Sequence, residues 1–123
     1  TSLELQLVNS DIKNLADLGT FLANNFGYKL QKLHLNLAEC SKLTEKSISS
    51  LVNSISQLYS LNDLMLSFNR CTEIKQDTIK YAIENLLKLP IKDTALYFYD
   101  CCEVEQSIRD WIESEFKNRT IFV

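Results

Sequence analysis

A thiol, an imidazole or a pair of carboxylates does chemistry only when a neighbour activates it, and this sequence carries a few of each. The cysteines are Cys40, Cys71, Cys101 and Cys102, and the histidine is His34 alone. Zinc would want four ligands at spacings such as C-x-x-C, but the only thiols close in sequence are the vicinal pair at 101 and 102. A nucleophilic or redox cysteine needs a base or a cation beside it. His34 stands in the alternating run "LHLNL", which turns it to the face opposite its leucine neighbours. The glutamates come in close pairs, Glu103 with Glu105 and Glu113 with Glu115. Residues two apart on a helix do not face each other, so these pairs read as solvated surface rather than as a general acid and base. Disulfides belong to secretory chains, and without secretory features the thiols are expected to be free. No catalytic residue, metal or cofactor is expected.

Composition narrows the function classes further. The chain has 123 residues, a formal charge of -3, 46% hydrophobic and 24% charged residues, all ordinary for one globular domain over 1–123. Nucleic-acid binding relies on clustered Lys and Arg that release counterions, and no basic stripe exists here. Apolar residues nowhere run for the roughly eighteen positions a membrane helix needs. An intracellular, cytoplasmic protein is the expectation. The sequence starts at Thr1 and enters the strand-like "LELQL" at once, which suggests a piece of a longer protein.

What positions the cysteines is a repeat. The segments "LELQLVNS", "LHLNLAEC", "LMLSFNRC" and "LYFYDCC" begin at Leu3, Leu33, Leu64 and Leu96, so the spacings are 30, 31 and 32 residues. Alternating apolar positions make each a strand with one buried face, and "TIFV" supplies a fifth short run. Between them the apolar period becomes helical: Leu15, Leu18, Leu22 and Phe26; Ile48, Leu51, Val52 and Ile55; Ile79, Ile83 and Leu86; Ile108, Trp111, Ile112 and Phe116. The order predicted is βαβαβαβαβ. Thr44 and Asn14 are expected to cap the second and first helices, Gly27 to end the first, and Pro90 to stop the third.

Strand–helix repeats also build doubly wound nucleotide-binding domains. Those carry a glycine-rich turn after the first strand, where this chain has "VNSDIKN". Their strands, buried on both faces, are continuously apolar, whereas these alternate leucine with Glu, Gln, His, Asn, Met and Ser. One strand face is left for solvent or a partner.

The pattern "LxLxLxxCxxLT", followed by a helix and then "LxxL" into the next strand, resembles the leucine-rich repeat of the long, ribonuclease-inhibitor-like class. It is clearest in residues 30–60 and 61–92, with flanking units at 1–29 and 93–123. The resemblance implies an α/β, right-handed leucine-rich repeat solenoid, a horseshoe arc with its parallel sheet on the concave side and helices on the convex side. It also implies that Cys40, Cys71 and one of Cys101 or Cys102 turn inward to pack and to bond backbone groups. Ser10 replaces the cysteine of the first unit, and Asp100 is placed where Leu7, Leu37 and Phe68 face inward, as a capping unit would have it.

On such a sheet the intervening strand residues stack into ladders. One is Glu4, His34, Met65 and Tyr97, and the next is Gln6, Asn36, Ser67 and Tyr99. The two terminal tyrosines give contact area at little rotamer cost, as binding hot spots do. The expectation is a non-catalytic module that binds another protein through this face, or a subunit of a multi-subunit complex. A small α/β redox or nucleotide-binding enzyme using Cys101 and Cys102, and a structural fragment that stacks end-on with further repeats, are the alternatives.

Overall fold

The computed structural model describes residues 1–123 and alternates strand and helix throughout. Its elements are β1 (Ser2–Gln6), α1 (Ala16–Phe26), β2 (Lys32–Asn36), α2 (Glu45–Ile55), β3 (Asp63–Ser67), α3 (Gln76–Leu86), β4 (Asp93–Tyr97), α4 (Gln106–Glu115) and β5 (Thr120–Phe122). The strands form one parallel sheet in the order β1-β2-β3-β4-β5. This is an α/β chain in which each parallel crossover contains one helix. Helices α1 and α2 pack on each other, as do α2 and α3. Lys80 of α3 sits over the Trp111 ring of α4, 5.3 Å from its centroid. All four helices therefore share one side of the sheet, and the other face is open. No helix is long and apolar enough to cross a membrane.

The buried strand face is built by the alternation. Leu33, Leu35, Leu64, Leu66 and Leu96 are buried with Ile48, Leu51, Ile79, Ile83, Ile108 and Ile112 from the helices in a single apolar cluster. Phe68 and Phe98 stack inside it with ring centroids 5.4 Å apart. Gly19 of α1 lies where the two helices come closest: a Cβ there would stand 2.5 Å from Ser54 Cβ of α2.

Register follows the leucines for three strands and then departs from the expected one. Leu3 pairs with Leu33, and Leu33 with Leu64, but Leu64 pairs with Thr94 rather than Leu96. The fourth strand is thus displaced by two residues from the leucine-based alignment, and successive units begin at 3, 33, 64 and 94. Phe98, not Asp100, takes the inward place that follows Leu7, Leu37 and Phe68, and it is buried. Asp100 is instead an exposed turn residue.

The displacement has a cost at Thr94. Its Oγ1 is buried without a hydrogen-bond partner in the position leucine holds in the other units. An unpaired buried hydroxyl costs roughly 1–3 kcal/mol, and valine matches threonine in shape. Thr94→Val is therefore expected to stabilise the chain by about 1 kcal/mol, read as a higher denaturant midpoint at unchanged slope. A lower midpoint would mean that the hydroxyl is bonded after all.

Each of the first four strands runs into the same turn. Asn9, Glu39, Arg70 and Asp100 all have positive φ, at 55°, 61°, 61° and 58°. Such left-handed backbone is usually left to glycine, with Asn and Asp as the next most tolerant residues. Neither glycine of the chain is used for it. Instead the turn is held by bonds to the next unit: the N–H groups of Asn9, Glu39 and Arg70 donate to the carbonyls of Ala38, Asn69 and Tyr99 at 2.8, 2.7 and 2.7 Å.

The helix ends match the expectations in part. Thr44 is the N-cap of α2, and its N–H donates to Ser47 Oγ at 3.2 Å. Asn14 Oδ1 accepts from Ala16 N–H at 2.8 Å, but the N-cap of α1 is Leu15, one residue later than expected. Gly27 is at the C-cap of α1 in right-handed, not left-handed, conformation. Space accounts for glycine there, because a Cβ would stand 2.7 Å from the Ala23 carbonyl oxygen. Helix α3 ends at Leu86, four residues ahead of Pro90.

Candidate functional site

The open face is assembled from the residues between the buried leucines. Pairing sets Glu4, His34, Met65, Ala95 and Thr120 in one row, and Gln6, Asn36, Ser67, Tyr97 and Phe122 in the next. Two expected neighbours are corrected here. Tyr97 lies beside Ser67 rather than Met65, and Tyr99 lies past the end of β4, where its N–H donates to Asn69 Oδ1 at 2.8 Å. Ser67, expected on the surface, is only 7% exposed. Its short side chain stands between Asn36 and the larger Tyr97 ring. Asn36 is more than a surface ornament: it donates from Nδ2 to Gln6 Oε1 at 2.9 Å and accepts from Ala38 N–H at 3.1 Å.

The face has a charged end and an aromatic end. At the first, His34 is held between two carboxylates, with Nε2 3.1 Å from Asp63 Oδ1 and Nδ1 3.6 Å from Glu4 Oε1. Lys32 Nζ lies 3.9 Å from both Glu4 and Asp63. The histidine is thereby anchored among charges rather than paired with a thiol. At the other end, Phe122 stacks on Tyr97 at 5.1 Å between centroids and lies against Tyr99 at 5.4 Å. Tyr99 is 45% exposed, and a hollow of about 420 Å³ opens beside it towards Asn36, Asn69 and Arg70. The sequence reading found the tyrosines and missed Phe122. Its alternation signal is there: in "TIF", Ile121 pairs with core residue Leu96, which sends Phe122 to the open face.

The cysteines sit at a different level, behind the turns. Cys40, Cys71 and Cys101 are buried, Cys102 is half-buried, and all four are free. Cys101, not Cys102, continues the series. The thiols of Cys40, Cys71 and Cys101 donate to the carbonyls of Leu7, Leu37 and Phe68 at 3.1, 3.1 and 2.9 Å. Each thiol thus gives a hydrogen-bond partner to a carbonyl just past the preceding strand; the Phe68 carbonyl also accepts from Cys71 N–H at 3.1 Å. Ser10 holds the equivalent place in the first unit, with Oγ 3.5 Å from Cys40 Sγ. Burial pushes the Cys71 thiol up to about 12 and the Cys101 thiol up to about 11. Burial also raises Cys102, partly countered by the positive charge of Lys75.

These shifts oppose nucleophilic use, since the thiolate is the reactive species. Cys71 and Cys101 are expected to label slowly with a thiol reagent in the native protein and rapidly once it is denatured. The sign for stability follows from the raised values. Below the ordinary thiol value both states are protonated and the contribution is whole; as pH climbs past it, the unfolded chain ionises first and stability falls. The loss should develop between pH 9 and 12. Fast native labelling of Cys71 at neutral pH would overturn this assignment.

Glu103, Glu105, Glu113 and Glu115 are all exposed. No group of three His, Cys, Asp or Glu side chains is placed to hold a metal ion. Comparison with protein-family models, curated proteins and solved structures finds no match to this chain.

Proposed function

We propose that this chain is a leucine-rich repeat module, of the long ribonuclease-inhibitor-like kind, that binds another protein through the open sheet face. The repeat reading rests on four turns of one design at 30, 31 and 30 residue intervals, each with a left-handed residue followed by Ser10, Cys40, Cys71 or Cys101. Sequential strand order with helices on one side supports a solenoid, and the crossovers of such units are right-handed by the general rule for parallel strands. The reading places the protein inside the cell, in the cytoplasm, alone or as a subunit of a larger complex.

The single observation behind the binding reading is the cluster of Tyr97, Tyr99 and Phe122 on a sheet face that no helix covers. Large aromatics left half in water beside polar ladders are what interface hot spots are made of. A redox role for the vicinal cysteines has less support, because Cys101 is buried and already donates to the Phe68 carbonyl. The test is to isolate the natural partner and compare its affinity for variants of the open face with its affinity for variants of the helix face.

A further inference from the structure

The aromatic cluster continues into a second concavity, the largest on the molecule at about 460 Å³, which wraps around the outer side of β5. Its floor is apolar: Ile112 from α4, Phe116 at the C-cap of that helix, and Ile121 and Phe122 from β5. Its rim is cationic. Arg109, Lys117 and Arg119 line it, with Glu113 as the one carboxylate among the lining residues. None of these four groups takes part in an ion pair, although Lys32, Lys42, Arg70 and His34 all do. Arg109 Nη1 donates to the main-chain oxygen of Val123 at 3.1 Å, which leaves Lys117 and Arg119 as the cations of the rim without a partner. Lys117 and Arg119 thus outnumber Glu113 on the rim of a chain whose total charge is -3.

Within these 123 residues β5 is the last strand of the sheet. An apolar floor and a cationic rim together select for one kind of occupant. We infer that the partner docks here with an extended acidic segment, carrying an apolar or aromatic residue for the floor and carboxylates for Lys117, Arg119 and Arg109. The apolar pocket supplies the selection for the large side chain. Charge complementarity then sets register and excludes basic competitors. Tyr99 lines this hollow and the smaller one beside Asn69, so the segment passes over the tyrosine to reach the open face. The inference rests on the open-face reading proposed above and names the chemistry of its partner.

The experiment is selection of short random peptides displayed on phage against the immobilised 123-residue chain, followed by affinity measurement on the best synthetic peptides. The expected consensus is acidic with one large apolar residue, and its binding should weaken with added salt. Lys117→Glu combined with Arg119→Glu should weaken it by about tenfold or more while the thermal midpoint holds. Both side chains are exposed, and the milder Lys117→Gln with Arg119→Gln should give an intermediate loss. Selected peptides that are neutral or basic, or that ignore the charge reversal but are lost with Tyr99→Ala, would overturn the acidic partner and leave the open-face reading intact. Peptides that survive Tyr99→Ala, or no enrichment at all, would overturn both.

Discussion

Replacing Leu35 by alanine is expected to lower the unfolding free energy by about 2–5 kcal/mol. Leu35 is fully buried at the middle of β2, paired with Leu5 on one side and Leu66 on the other. Removing it opens a cavity that the flanking strands, bonded to β2 along their length, have little freedom to fill. A small domain has only about 5–15 kcal/mol of stability in total, so the variant should lose a large part of its denaturant midpoint. Met65, one position away from Leu66 and turned to the open face, is the contrast: Met65→Ala should cost about 1 kcal/mol or less. Asn36 is a poorer contrast than its strand position suggests, because it serves the Ala38 N–H. Equal losses at Leu35 and Met65 would show that the two strand faces have been misassigned.

Truncating the aromatic cluster should leave the fold and remove the binding. Hot-spot aromatics commonly cost 2 kcal/mol or more on truncation, which is about thirtyfold in affinity. Tyr99→Ala is the cleanest variant, since Tyr99 lies beyond the sheet and its backbone N–H keeps Asn69 as a partner. Tyr97→Ala also loses a stacking neighbour of Phe122, so its affinity must be read beside its thermal midpoint. Lys46, Lys80 and Glu84 on the helix side are the controls, and their substitution should change affinity by less than about twofold. If Tyr99→Ala and Tyr97→Ala bind the isolated partner normally while the helix-side changes abolish binding, the helices are the working surface.

Much of this architecture is written in short-range periodicity. Period two and period three to four alternate along the chain, and the order of the nine elements follows that alternation. The fourth strand was misregistered because the reading followed leucine: Leu96 looked like the partner of Leu64, while the true partner, Thr94, is polar and buried without compensation. The turn cysteine is the better ruler, since Cys40, Cys71 and Cys101 keep the spacing that the leucines lose. Long-range geometry was less legible. That His34 would be clasped by Glu4 and Asp63 depends on residues 30 and 29 positions away, and only an accurate register brings them together. The hollow by β5 is hidden for a similar reason, as its cations come from α4 and the loop after it and flank glutamates in sequence, of which Glu113 lines it too.

Every strand in this sheet bonds only to the strand before it and the strand after it in sequence. No element returns from one end of the chain to close the other. Such a topology makes folding a growth process, in which an inner pair of units nucleates and each further unit adds against a surface already formed. Loop closure is then met in instalments of one unit rather than across the whole chain. The same linearity means that a lesion speaks mainly to its two neighbours and fades beyond them. In this molecule an inner strand such as β3 is held by neighbours on both sides, so a change there is felt by two units.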